Sequence, residues 1–181
     1  MIKHNDIFLI NKIKGNFAEN ICQTHFESMG CDVSYIGVEH LSNHFAMMTD
    51  HKRKQVKNLK DLFQKMPDFL ITNTVRNDAA LVEVKFNKNI KNEKDLIEYS
   101  KVLHEKYKHI INLELPVYFY LVTNTKPYVF IMKANVEGGR PGGFYKADDS
   151  KLDGYYFFTA EKSFTEVYKN IILPALSDIF N

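Results

Sequence analysis

The stretch MPDFLITNTVRNDAALVEVKF, residues 66–86, sets ionisable side chains into runs that otherwise look built for a core. Asp68 follows Pro67 at the head of the first run, and Glu83 and Lys85 alternate with Val82, Val84 and Phe86 in the second. Residues 69–72 and 79–86 read as strands, and the polar connection 73–78 suits a hairpin. Side chains in a strand alternate between faces, so Glu83 and Lys85 share one face while Val82, Val84 and Phe86 share the other. The apolar set can meet a helix-covered core, which leaves Glu83 and Lys85 to look toward a cleft or solvent. The hairpin returns the chain and brings Asp68 beside Glu83. Two adjacent carboxylates repel, and they are stable as anions mainly with a cation between them. Hard oxygen ligands at a site shared with phosphate suit magnesium, which takes one or two protein carboxylates and keeps several waters. A lysine two positions from such a glutamate could orient an attacking water, lower its pKa or stabilise charge developing on phosphorus.

A further carboxylate comes from KGNFAEN near the N-terminus. On a helical wheel Glu19 falls at the margin of the apolar face, four residues after Gly15, where it would point into the seam between helix and sheet. Gly15 leaves space on that side. Other groups carry less chemistry. His40 and His44 sit four apart beside Glu39, but the pattern is not HExxH and offers no third ligand. His104 could touch a phosphate or simply lie at the surface, and Tyr99 has core spacing. Cys22 and Cys31 have no basic partner that would make either a nucleophile. The glycine loop GGRPGG lacks the GK[ST] ending of a phosphate-cradling loop, although Arg140 and Lys146 beside it could contact a nucleic-acid backbone.

The elements that must position these groups follow from periodicity. Residues 11–29 repeat apolar side chains at helical spacing until Gly30 stops the run. A strand is expected over 31–38, a basic helix over 52–65, and a helix from Asn92 with Leu96, Tyr99, Leu103 and Tyr107 on one face. Strands at 117–123 and 128–133 flank a turn at 124–127. A last strand is expected at 155–159. Ser163 and Glu166 then have capping-box spacing for a final helix, whose apolar face runs Val167, Ile171, Ala175, Ile179 and which Pro174 bends. The sum is an α/β fold with a central mixed sheet flanked by helices. It forms one domain over 1–181, with a core at about 12–133 and the C-terminal strand and helix, 154–180, packed on it.

Composition agrees with such a domain: 181 residues, 45% hydrophobic and 25% charged, with 14 Phe, 10 Tyr and no Trp. Two cysteines are too few for a disulfide framework, and the apolar run at 7–10 is too short for a secretory signal. No stretch approaches the roughly 20 apolar residues of a membrane span. A soluble, cytoplasmic protein is expected. Net charge is only +2, but it is unevenly distributed. Residues 51–65 carry Lys52, Arg53, Lys54, Lys57, Lys60 and Lys65 against Asp61 alone, and residues 85–110 carry seven lysines against four acids. Concentrated positive charge suits a polyanion, because each neutralised phosphate releases counterions; solvated helix faces have the same composition.

Gly15 and Glu19 on a leading helix, then Pro67-Asp68, then Glu83-Val84-Lys85, resemble the PD-(D/E)XK nuclease superfamily, in particular archaeal-type Holliday junction resolvases and restriction-like endonucleases. The resemblance covers roughly residues 12–105 and implies a restriction-endonuclease-like αβββαβ core. It implies that Asp68 and Glu83 hold magnesium (manganese able to stand in), with Glu19 adding a metal or metal-water contact and the Val84 carbonyl a further ligand. Lys85 would support the attacking water, and the products would carry a 5′-phosphate and a 3′-hydroxyl. Glu98-Tyr99 stands where the exonuclease branch has its Gln-x-x-x-Tyr motif, so that branch is not matched. The expected activity is magnesium-dependent endonucleolytic hydrolysis of DNA by a homodimer, with no organic cofactor. Lys52, Arg53, Lys54, Lys57, Lys88 and Lys91 would hold the backbone. The alternatives are a non-catalytic nucleic-acid-binding module of the same fold, and an interaction protein in which Asp68 and Glu83 only form surface ion pairs.

Overall fold

The computed structural model describes residues 4–36, 66–111, 115–134 and 143–180. The basic segment 52–65, residues 37 and 38, His40 and His44, and most of the glycine loop lie outside them. A helix, α1 (His4–Met29), leads into β1 (Asp32–Tyr35), β2 (Phe69–Asn73) and β3 (Asp78–Phe86). Helix α2 (Glu93–Ile111) follows, then β4 (Val117–Val122), β5 (Val129–Lys133) and a short β6 (Tyr145–Lys146). Two 3-10 turns, Leu152–Gly154 and Tyr156–Phe158, precede the C-terminal helical segment: α3 (Phe164–Val167), a π turn (Tyr168–Ile172) and α4 (Leu173–Phe180).

The six strands form one sheet in sequence order. Every neighbouring pair is antiparallel except β3 and β4, which run parallel. A parallel pair needs a long crossover, and α2 supplies it. The sheet is therefore mixed and has helices on both faces, as the sequence pattern predicts. One face carries Phe69, Ile71, Ala80, Val82, Val84, Tyr118, Tyr120 and Ile131, packed with α1 and the C-terminal helices into the main core. The other carries Leu81, Val117, Phe119 and Met132 against Leu103, Tyr107 and Ile110 of α2. No helix among the described residues is long and apolar enough to cross a membrane.

Local chemistry explains the boundaries. Helix α1 ends in a Schellman arrangement: Cys31 N–H donates to the Phe26 carbonyl and Gly30 N–H to the Glu27 carbonyl, both at 3.0 Å. Gly30 has φ +90°, and a Cβ there would come within 2.8 Å of the Glu161 side chain, so only glycine fits. In the β2–β3 turn Asn77 takes φ 52°, a left-handed conformation that asparagine tolerates. Asn92 caps α2 by accepting from Asp95 N–H at 3.1 Å, and Ser163 caps α3 by accepting from Glu166 N–H at 3.2 Å.

Four expectations need correction. Within 155–159 the chain makes a 3-10 turn over Tyr156–Phe158, because Phe157 and Phe158 both turn into the core and a strand would point one of them away. The C-terminal helix buries Phe164, Val167, Tyr168, Ile172 and Leu176, whereas Ile171 and Ile179 are exposed. Pro174 has no N–H for the carbonyl four residues earlier. The preceding turn widens, with Leu173 N–H donating to the Tyr168 carbonyl five residues back, and the extra residue rotates the buried face. Finally, β1 is only four residues long, and α1 starts well before residue 11.

Candidate functional site

Strand register assembles the site. Phe69 pairs with Val82, so the next step toward the strand ends sets Asp68 opposite Glu83. Asp68 accepts a 2.7 Å hydrogen bond from the Val84 N–H through Oδ2, while its own carbonyl accepts from Ile36 N–H at 3.0 Å. The Lys85 side chain folds back so that Nζ donates to the Val84 carbonyl at 2.9 Å and forms an ion pair with Glu83 Oε1. Both sides of the Val84 residue are thus engaged: Asp68 on its N–H, Lys85 on its carbonyl.

Glu83 and Lys85 do share a face, but not an open one. Glu83 is 2% exposed and lies beneath α2, where the Tyr107 hydroxyl donates to Oε1. The expectation that it looks into a cleft or solvent is corrected. The face opposite the main core is covered by α2, and a carboxylate there remains buried because Lys85 and Tyr107 satisfy it. Lys85 keeps 27% of its side chain exposed. Burial alone would lower its pKa, but the carboxylates of Glu83 and Asp68, then Tyr107, outweigh that and raise it, so the ammonium stays charged. Tyr107 is also raised, first by burial and then by Glu83, with Lys85 opposing, so its hydroxyl keeps the proton it donates. Its ring packs edge-on against Phe119, the register partner of Glu83 on β4, at 5.4 Å between centroids.

Glu19 lies elsewhere. It is half-buried on α1, which packs against the other face of β3. Glu19 and Asp68 act electrostatically on the same two neighbours, Cys22 and Tyr35. Burial first, then Asp68 and Glu19 together, raise the Cys22 thiol well above its ordinary range, and both carboxylates also act on Tyr35. A buried, protonated Cys22 agrees with its reading as an inert thiol, as does Cys31, pushed up to about 11 by burial and Asp32. A Cβ added at Gly15, one turn before Glu19, would meet nothing within 4 Å, so the expected space is there. Lys88 and Lys91 are exposed, whereas Lys52, Arg53, Lys54 and Lys57 lie outside the described residues. His104 on α2 is half-buried, with an enclosed Nδ1 that has no hydrogen-bond partner among the described residues.

The donors around Val84 can be tested against magnesium. Among the described residues no three His, Cys, Asp or Glu side chains group as a metal cage, so Glu19, Asp68 and Glu83 do not meet round one point. Magnesium asks for less, since one or two carboxylates suffice with water completing the shell. Glu83 Oε1 and the Val84 carbonyl are hard oxygen donors that already hold a cationic group between them, the Lys85 ammonium. Glu83, Val84 and the nearby Asp68 therefore fit magnesium once that ammonium moves aside.

Sequence reasoning missed Tyr107 as a partner of this site and read it only as an apolar helix position. The available signal was its hydroxyl: a tyrosine on the face of α2 that meets Glu83 needs a polar partner when buried. No family model matches the chain, and no curated protein or solved structure matches it.

Proposed function

We propose that the protein is a magnesium-dependent endonuclease acting on DNA, with its centre at Asp68, Glu83 and Lys85 around Val84. The single observation that carries this reading is the Lys85 ammonium held between the Glu83 carboxylate and the Val84 carbonyl, with Asp68 on the same residue's N–H. That is a hard-oxygen site with a built-in cation, where the start of β2 lies beside β3. The element order helix, three strands, helix, strand agrees with the restriction-endonuclease-like core implied by the motif residues. Glu83, the Val84 carbonyl and Asp68 would hold the metal. Magnesium would supply positive charge to a phosphodiester oxygen and to the water that attacks it.

The protein's own groups do the rest. Tyr107 fixes the Glu83 carboxylate by donating to Oε1, the oxygen that also meets the Lys85 ammonium. Lys85 carries its proton and so acts as a hydrogen-bond donor and charge stabiliser rather than as a base. Released from Glu83 and Val84, it would be a donor for an oxygen of the scissile phosphate. Exposed Lys88 and Lys91, with Lys52, Arg53, Lys54 and Lys57, would contact the backbone, which positions DNA without reading its sequence. Cutting both strands of a duplex calls for a second copy of the chain.

A second reading has its own observation. The absence of a three-acid group among the described residues favours a nucleic-acid-binding module in which Glu83, Lys85 and Tyr107 form a structural network. Incubation of supercoiled plasmid and a branched oligonucleotide with the protein and magnesium decides between them. The endonuclease reading expects cleavage that Asp68→Ala and Lys85→Ala abolish while both variants remain folded. Binding without cleavage by the wild-type chain supports the module.

A further inference from the structure

Beside this centre lies a cavity of about 350 Å³, within the roughly 300–1,000 Å³ range of small-molecule sites. Three elements far apart in sequence each bring one lysine to its wall: Lys91 just before α2, Lys126 in the β4–β5 turn and Lys146 on β6. Among the described residues, Glu93 is the one acid that lines it. None of the three ammonium groups is in an ion pair among the described residues. Phe130 and Phe144 supply aromatic surface to the same wall. Phe130 belongs to a buried apolar cluster, and Phe144 packs partly exposed against it.

The frame is held in place. Lys91 N–H donates to Asp95 Oδ2 at 2.8 Å, which fixes the entry to α2. Thr123 Oγ1 donates to the Thr125 carbonyl at 2.8 Å, and Tyr128 N–H donates to that same carbonyl at 2.8 Å, which closes the turn that carries Lys126. The cavity sits on the α2 side of the sheet, toward the carboxyl ends of the parallel strands β3 and β4, where α/β sheets commonly bind ligands. Leu121, in the cluster beneath it, is the register partner of Lys85, and Tyr99 packs on the same cluster.

We infer that this cavity is a nucleoside-phosphate subsite, in which the three lysines hold the phosphate and the aromatic wall receives the base. Lysine ammoniums are ready phosphate partners, and every base offers a face for stacking on an aromatic ring. The ligand is either a nucleotide of the DNA strand next to the cleaved bond or a free mononucleotide, and its identity as part of a strand rests on the endonuclease reading. Calorimetric titration of the full chain with dAMP, inorganic phosphate, deoxyadenosine and a short single-stranded oligonucleotide tests it, alongside plasmid cleavage. The double variant Lys126→Ala/Lys146→Ala alters exposed side chains only, and its folding is checked by thermal unfolding.

The expected result is saturable dAMP binding, tighter than phosphate or deoxyadenosine alone and weakened about a hundredfold in the double variant, at about tenfold per lysine. Oligonucleotide binding weakened in parallel identifies the strand as the source, and dAMP binding without that effect identifies a free nucleotide; both support the subsite. No dAMP binding, binding no tighter than phosphate, or equal binding by the double variant overturns it. A wild-type chain that binds dAMP at this site but never cleaves DNA refutes the endonuclease reading and leaves the subsite standing.

Discussion

Glu83 is a carboxylate that the fold buries almost completely and then satisfies twice, with the Lys85 ammonium and the Tyr107 hydroxyl. Removing one donor leaves a buried charge with fewer partners, so Tyr107→Phe should destabilise the protein by about 1–3 kcal/mol, read as a lower urea midpoint at unchanged slope. A midpoint equal to wild type would mean that Tyr107 does not hold Glu83. At this scale much of the site was legible in the sequence. Asp68, Glu83 and Lys85 stand out because charged side chains are rare inside apolar strand runs, and period-two alternation puts Glu83 and Lys85 on one face. What pattern alone lacks is distance through space. It could not show that α2 would cover that face, that Tyr107 would supply the donor, or that Glu19 would sit across the sheet from Glu83.

Between elements, His25 is the joint. Its imidazole is wholly buried, stacked on Phe164 at 3.8 Å between centroids, with Nε2 2.9 Å from the Phe164 carbonyl and Nδ1 2.9 Å from the Tyr120 hydroxyl. A carbonyl can only accept, so Nε2 carries the hydrogen and Nδ1 accepts from Tyr120 in the neutral ring. One side chain thus ties α1 to β4 and α3. Burial pulls its pKa down to about 3, against the raising effect of the Phe164 carbonyl. The unfolded chain therefore binds a proton that the folded chain refuses as pH falls below about 6.5, and this residue's contribution declines by about 1.4 kcal/mol per pH unit down to the folded value. His25→Phe should be less stable than wild type at pH 7, yet lose stability less steeply between pH 6 and 4 in denaturant titrations; identical slopes would contradict the assignment. Strands β2 to β5, α2 and the Gly30 stop were readable because period and capping are local signals. The phase of the C-terminal helix was not, because the π turn before Pro174 adds a residue that no fixed 3.6-residue period can anticipate.

Across the whole molecule, the sheet divides two kinds of work. The face under α1 and the C-terminal helices is an aromatic core that includes Phe26, Tyr120, Phe157, Phe158 and Phe164. The face under α2 carries the Glu83–Lys85–Tyr107 cluster and, beyond Tyr99, the lysine-lined cavity. The mixed sheet flanked by helices was foreseeable from alternating helical and strand periods. The cavity was not, because Lys91, Lys126 and Lys146 converge only after β4, β5 and β6 are laid side by side.

The central claim is that Glu83, Asp68 and the Val84 carbonyl form a divalent-cation site in which Lys85 holds the place of the metal. Manganese titration followed by electron paramagnetic resonance measures this without reliance on activity. The account predicts saturable binding of one ion per chain, weakened at least about tenfold by Glu83→Gln and by Asp68→Asn, since each removes a charged ligand. It also predicts that Lys85→Ala binds as tightly as wild type or more so, because a competing cation has been removed. Manganese affinity that is the same in wild type, Glu83→Gln and Asp68→Asn, or that disappears in Lys85→Ala while the variant stays folded, would contradict it.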